Sequence, residues 1–336
     1  MALPTLPQIT RLSENVIRIL GGNPGFHTLQ VSAGTNTYLV GKVPGPYILV
    51  DTGDGKPEYQ QQLRDALLSS TSQGRIPLVS DVVITHKHRD HHGGLLPTLH
   101  TLKSIWDSAH SEDKGNTYPR PRIHKYPLPK HQALDAHSDG LQIDIPPELF
   151  DPPITPSDHP MEGNFTSLSD QQVLQGHDVA LRVIHAPGHT DDSICLYLAE
   201  DAALFTADTV LGHGTAVFED LSKYVETLSR LVGYDYGEKG LRRIYPGHGS
   251  ILERDKAANT LQEYIDHRAE REAQVISVLN SREQSWTLED VTASIYPQHV
   301  REFAKHGTYL HLKKLLSDAR VEEVVEEDVV KWRLLK

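Results

Sequence analysis

The decapeptide THKHRDHHGG, Thr85 to Gly94, places four histidines and an aspartate within one short stretch. His86 and His88 stand two residues apart at the edge of the extended run DVVIT and can point to one side, while Asp90 and His91 lie beyond the bend. That spacing allows two separate ligand sets. Imidazole nitrogens and carboxylate oxygens suit zinc, which takes either at about 2.0–2.2 Å. A solvated histidine-rich turn is the plainer alternative in a chain with 20 histidines. Against it, further candidate ligands recur in similar glycine-flanked positions after strand-like runs. They are His189 in HAPGHTDDS, Asp208 at the end of LFTADTV and His248 in RIYPGHGS.

The elements that must carry these residues follow from periodicity. NVIRIL, NTYLVG and PYILVDTGDG predict short strands punctuated by Gly and Pro, YQQQLRDALLSS predicts a helix, and PLVSDVVIT returns to a buried strand. Strand, helix and strand in that order make an α/β layer. Gly93 and Gly94 permit a tight passage into a helix through LLPTLHTL. Strands resume with ALRVIHAPG, SICLYLAED and ALFTADTV, followed by helices near residues 219–231 and 255–279.

Between about residues 104 and 164 the periodicity fades. Ten of the 21 prolines fall between residues 101 and 170, which predicts an insertion of loops, either a surface excursion or a flap over the site. The tail predicts a helix starting near Thr287, a second helix through YLHLKKLLSD and a two-stranded end, RVEEVVEEDVVKWRLL. Helix, helix and hairpin suggest a winged-helix unit. Such units often read nucleic acid, but from Ser281 onward nine Lys or Arg face ten Asp or Glu, so a structural or lid-like wing fits better. The expected organisation is a catalytic domain over 1–254, with the Pro-rich insertion at about 104–164, and a helical, winged-helix-like domain over 255–336.

In order along the chain, H-x-H-x-D-H, then His, Asp and His resemble the metallo-β-lactamase superfamily. ITRLSENVIRILGGNPG, GTNTYLVG, APGHTDDS, GHGTAVFEDL and YPGHG resemble its branch of β-lactamase-like protein 2 and the fungal thioesterases that release polyketides from carrier proteins. The resemblance covers about residues 9–251. It implies a four-layer αββα sandwich with a small C-terminal winged-helix-like domain. Two departures stand out: VSA interrupts the run before GTNTYLVG, and the insertion is longer than the branch's pattern.

Carried over residue by residue, the resemblance assigns His86, His88 and His189 to one zinc, Asp90, His91 and His248 to a second, and Asp208 to both. His92 is left outside the set. Two Zn2+ ions, with Mn2+ or Fe2+ as alternatives, would hold a bridging hydroxide as nucleophile, and Asp90 would orient it and carry a proton to the leaving group. Asp51, in ILVDTGD, resembles the family's outer carboxylate that orients a ligating histidine, the alternative being a turn aspartate before Gly53. Thr190, Asp191 and His213 are weaker candidates for substrate contact. Cys195 lies inside a strand and reads as core.

Composition narrows the partners. A formal net charge of −12 disfavours a phosphate backbone, and PRPRIHKYPLPKH, inside the insertion, is the only clearly basic stretch. Together with this charge, the resemblance to the polyketide-releasing thioesterases implies, as the leading expectation, hydrolysis of a thioester or ester, on a small-molecule or carrier-protein-bound acyl substrate. The alternative, implied by the resemblance to β-lactamase-like protein 2, is endoribonuclease action on single-stranded RNA, and a non-catalytic scaffold would require a broken ligand set. One cysteine permits no intramolecular disulfide, and no run approaches a membrane span. A cytoplasmic protein without membrane partners is expected, with a mitochondrial location left open.

Overall fold

The computed structural model describes residues 5–23, 34–70, 78–112, 116–128, 145–151 and 165–335. Its first sheet has seven strands in sequential order: β1 (Ile9–Arg11), β2 (Val16–Leu20), β3 (Asn36–Val40), β4 (Tyr47–Val50), β5 (Val79–Ile84), β6 (Arg122–Lys125) and β7 (Thr166–Ser167). From β1 to β4 the neighbours run antiparallel, and from β4 to β7 they run parallel. Helix α1 (Pro57–Ser69) connects β4 to β5; α2 (Arg89–His92) and α3 (Leu95–Ala109) follow β5.

Alternation along the strands explains why both faces of this sheet are apolar. Ile17, Ile19, Leu39, Leu49, Val82, Ile84 and Ile123 pack with Tyr59, Leu63 and Leu67 of α1 and Leu95, Leu99 and Leu102 of α3. Their strand neighbours Val16, Tyr38, Val40, Ile48, Val50 and Val83 face the opposite way, into a second core.

That second core is shared with a six-stranded sheet, ordered β13-β12-β11-β10-β9-β8. Its strands are β8 (Val173–Gly176), β9 (Val179–His185), β10 (Ile194–Leu198), β11 (Ala203–Ala207), β12 (Arg243–Pro246) and β13 (Leu252–Glu253). Leu181, Val183, Ile194, Leu196, Phe205 and Tyr245 supply its half. Tyr38 and Phe205 meet edge to face with centroids 5.1 Å apart, joining the two sheets at their centre. The expected α/β sandwich is thus observed. The neighbours β11 and β12 are parallel, and the connection between them carries α4 (Leu221–Val232).

The chain divides into two compact units, residues 1–216 with 235–258, and residues 217–234 with 259–336. The division is not the contiguous break at 254 expected from the sequence, because 217–234, including α4, clusters with the later residues. In the second unit, α5 (Asp255–Leu279, entered at its N-terminal turn from the first unit) leads to β14 (Trp286–Thr287), α6 (Leu288–Ile295), α7 (Arg301–Ser317), β15 (Val321–Glu326) and β16 (Val329–Leu334). Thr287 caps α6 by accepting the Asp290 backbone N–H at 3.0 Å. Val275, Leu279, Val291, Leu312, Leu315, Val321, Trp286 and Trp332 form its core. The end of the chain is three-stranded, in order β14-β16-β15, rather than two-stranded. The added strand has only two residues, too few for a period to register in sequence.

The expected loop insertion also needs correction. Residues 104–109 complete α3, and Arg122–Lys125 form β6 inside the first sheet. Four residues flanked by prolines carry little periodic signal, and pairing with β5 decides their conformation. Residues 113–115, 129–144 and 152–164 of the insertion, and the VSA segment, lie outside the described residues. No helix among the described residues is long and apolar enough to cross a membrane.

Candidate metal centre

Each candidate ligand follows the C-terminal end of a strand: His86 and His88 after β5, Asp90 and His91 on α2, His189 after β9, Asp208 after β11 and His248 after β12. Strand ends are where open α/β sheets leave backbone unpaired and side chains free to converge. Here seven side chains from four loops form two trios, His86–His88–His189 and Asp90–His91–His248, and His86, His91 and Asp208 form a third that overlaps both.

In the first trio, His86 Nε2 lies 3.0 Å from His88 Nδ1, and His189 Nε2 lies 3.3 Å and 3.0 Å from those two atoms. A tetrahedral cation holding nitrogens at about 2.0–2.1 Å would separate them by about 3.3 Å. In the second trio, Asp90 Oδ2 is 3.2 Å from His248 Nε2 and 3.6 Å from His91 Nε2. Asp208 spans both: Oδ1 is 3.4 Å from His91 Nε2, while Oδ2 is 3.3 Å from His248 Nε2 and 3.8 Å from His189 Nε2.

The outer ring atoms decide which nitrogen faces inward. Asp51 accepts the Thr85 backbone N–H on Oδ1 at 2.8 Å and the Thr85 hydroxyl on Oδ2 at 2.9 Å. Asp51 Oδ2 also lies 2.7 Å from His91 Nδ1. The Thr85 hydroxyl, its one hydrogen given to Asp51, can accept from His86 Nδ1 at 3.1 Å, and the Gly34 carbonyl can accept from His248 Nδ1 at 3.2 Å. With Nδ1 of His86, His91 and His248 so engaged as donor, the Nε2 lone pairs are left for the site. His91 Nε2 and Asp208 Oδ1 are buried and make no hydrogen bond among the described residues. Buried polar atoms seldom stay unpaired, and this pair fits a cation between them.

Electrostatics agree with that fit. Burial works to lower the pKa of His91, but Asp90, Asp208 and Asp51 together carry it well above the ordinary histidine value. His248, also buried, is pushed up to about 10 by Asp208 and Asp90. His86 and His88 go the other way, lowered first by burial and then by neighbouring imidazoles, His88 to about 3. One half thus draws positive charge strongly, and the other presents neutral imidazoles as metal ligands require.

The backbone bends sharply to make room. Ala207, just before Asp208, has φ +44°, a conformation unfavourable for a residue with a Cβ. At Gly247 a Cβ would collide with Asp208 Oδ1 and lie 2.9 Å from the Ala207 carbonyl carbon. Only glycine lets His248 follow so closely.

Of the weaker candidates, Asp51 meets the cluster through His91. Thr190 is fully buried, and its hydroxyl bonds Asp192 Oδ1 and Ser193 Oγ, each at 2.7 Å. His213 is exposed and belongs to none of the trios. Asp191 contributes its backbone carbonyl, 2.8 Å from His185 Nε2. His92 is buried with Nε2 3.1 Å from the Lys87 carbonyl, pinning the loop from behind. Sequence reasoning missed Thr35, whose hydroxyl donates to Asp90 Oδ2 at 2.8 Å, although GTN beside a strand end offered a signal. It also missed the buried pair Lys125 and Asp192, for which no local signal exists.

Residues 33–248 match the model of the metallo-beta-lactamase superfamily, and residues 287–332 match the beta-lactamase associated winged helix domain. The chain is 34 % identical over 325 residues to a beta-lactamase-like protein 2 homolog of Caenorhabditis elegans, covering 96 % of this chain and 90 % of the relative. It is 32 % identical over 340 residues to an atrochrysone carboxyl ACP thioesterase of Aspergillus chevalieri, covering 98 % and 90 %. Among solved structures, a metallo-beta-lactamase family protein from Thermus thermophilus superposes with a TM-score of 0.63 at 20 % identity, covering 95 % of this chain and 98 % of the other, a likeness of fold.

Proposed function

The chain belongs to the metallo-β-lactamase superfamily of hydrolases, and from that premise we propose that it is a dinuclear zinc enzyme cleaving an acyl thioester or ester. The observation that carries the proposal is the pair of ligand trios meeting at Asp208. In this reading His86, His88 and His189 would hold one cation, Asp90, His91 and His248 would hold the other, and Asp208 would be available to both. Bound there, divalent ions would supply an activated water and Lewis-acid polarisation of the scissile carbonyl.

The chain's own residues supply the rest. Asp90 has the most exposed carboxylate of the cluster, its side chain 33 % accessible against 13 % for Asp208. With Oδ2 fixed by Thr35 and His248, Asp90 is placed to take a proton from water and deliver it to a departing thiol or alcohol. No Ser or Cys nucleophile is needed. Cys195 is buried within β10.

The charge distribution favours an acyl substrate over RNA. The basic stretch includes β6, and its described charges are each paired with an aspartate, with Arg120 and Arg122 exposed and Lys125 buried. Arg122 and His124 pair with Asp81 at 2.8 and 2.7 Å, and Lys125 pairs with buried Asp192. A phosphodiester path needs a surplus of exposed cations, which a net charge of −12 works against. The relatives named as acyl-carrier-protein thioesterases support a carrier-bound acyl group.

The test is thiol release from an acyl thioester by zinc-loaded protein, beside a chelated sample and Asp90→Asn. The expected result is release that stops on chelation and falls about 10²–10⁴-fold in the variant. Zinc-loaded protein that leaves thioesters intact but cuts single-stranded RNA would overturn the acyl assignment.

A further inference from the structure

Beneath the metal centre lies an ion pair that the proposed chemistry does not use. Lys125, the last residue of β6, and Asp192, in the loop that carries His189, are in direct contact with both side chains fully buried. Taking two charges out of water is costly, and such a pair is weak grounds for stability. Its position suggests another role. Asp192 Oδ1 accepts the Thr190 hydroxyl at 2.7 Å, and Ser193 Oγ accepts the Thr190 backbone N–H at 3.2 Å. The Gly188 N–H donates to the Thr190 carbonyl at 3.1 Å, closing the turn around His189. On the other side, Lys125 Nζ donates to the Tyr126 carbonyl at 3.1 Å, which anchors it to the end of β6.

The Asp192 carboxyl is held below the ordinary aspartate value. Burial alone would raise it, but Lys125, with Lys87 from the HKH segment, overcomes that effect. Lys87 is itself buried between His86 and His88, the other two members of the first trio. A single carboxylate therefore ties together β6 and the turn presenting His189.

We propose that Asp192, with its partner Lys125, is a positioning residue that places His189 against His86 and His88 and so sets the affinity of the first cation site. The inference deepens the proposed function and rests on metal binding by the two trios. Residues holding a ligand from behind typically contribute 10- to 100-fold, roughly, in metal affinity.

The experiment is competition of zinc against a chelator, with bound metal counted, on the full chain and on two variants. Asp192→Asn removes the charge. Thr190→Val cuts the link between Asp192 and the His189 turn without leaving a buried ion unpaired, so it tests the idea even if Asp192→Asn fails to fold. A control, Val16→Ala in the inter-sheet core, separates general destabilisation from positioning.

The expected outcome is two zinc equivalents in the wild type and in the control. In Thr190→Val the weaker or lost equivalent should be shifted about 10- to 100-fold, with the other within about twofold. Asp192→Asn should behave alike if it folds. Two equivalents with unchanged affinities in Thr190→Val would overturn the inference alone. Fewer than two in the wild type would overturn the dinuclear reading and the inference with it, and an equal loss in Val16→Ala would reduce the pair to a structural role.

Discussion

The strand-end rim of the first unit and the core of the winged-helix unit use buried space in opposite ways. At the rim, Asp51, His86, His91, Lys125, Asp192 and Thr190 are all buried, so charge and hydrogen-bonding groups occupy positions an ordinary core gives to aliphatic side chains. The winged-helix core is Val, Leu and Trp, and an ion pair such as Arg333–Glu322 at 2.7 Å lies on its surface. Buried polar groups need their partners in fixed places, whereas apolar contacts tolerate adjustment. The rim is therefore built for placement and the wing for cohesion, and single substitutions should separate the two.

The sharpest contrast sets Trp332→Ala against Gly247→Ala. Trp332 is fully buried in the wing core, and its truncation is expected to destabilise that unit by about 3–5 kcal/mol in denaturant unfolding. Gly247→Ala is expected to cost about 1–3 kcal/mol, the range for an added methyl in a packed site, yet to strip bound zinc because the methyl displaces Asp208 and crowds His91. Equal zinc content in the two variants would break the contrast.

An intermediate effect concerns His311, a buried histidine of the wing. His311 is pushed down to about 3, first by burial and then by Arg268, Arg271, Lys314 and His267. Its folded pKa lies below its unfolded value, so the unfolded chain takes up the proton first. The stability this group supports is complete above about pH 6.5 and drains away as pH falls toward 3, by about 2 kcal/mol between pH 7 and pH 5. Tryptophan fluorescence should follow it, since Trp286 and Trp332 lie in this unit. His311→Gln should flatten the profile, and an unchanged slope would refute the assignment.

The smallest effect lies at the hairpin tip. Glu327 and Asp328, between β15 and β16, have φ of +51° and +61°, the two left-handed positions of a tight hairpin turn. Asn-Gly suits that geometry better, so Glu327→Asn with Asp328→Gly should stabilise the wing by up to about 1 kcal/mol and leave zinc content untouched.

Much of this was legible in the sequence. HKHRDH marked a candidate metal site because its potential ligands stand close together in sequence, and His189, Asp208 and His248 were readable as candidates because each follows a strand run and stands beside Gly or Thr in a turn. Helices α1, α4 and α5 were visible in their apolar periodicity, as was the hairpin end. Strand β6 was not, since four residues among prolines hold no period, and neither was the membership of α4 in the second unit, because a helix's own pattern does not say which core it joins.

What the sequence alone determined is the set of candidate ligands: residue types at ligand spacing, local turns and the alternation that makes strands. The tertiary structure decided who meets whom. Asp51 reaches His91 across 40 positions, Lys125 reaches Asp192 across 67, and the Gly34 carbonyl reaches His248 across 214. Ligand identity is local because it depends on side-chain chemistry at short separation. Partnership is global because it depends on the pairing and register of strands distant in the chain, which set where each loop begins.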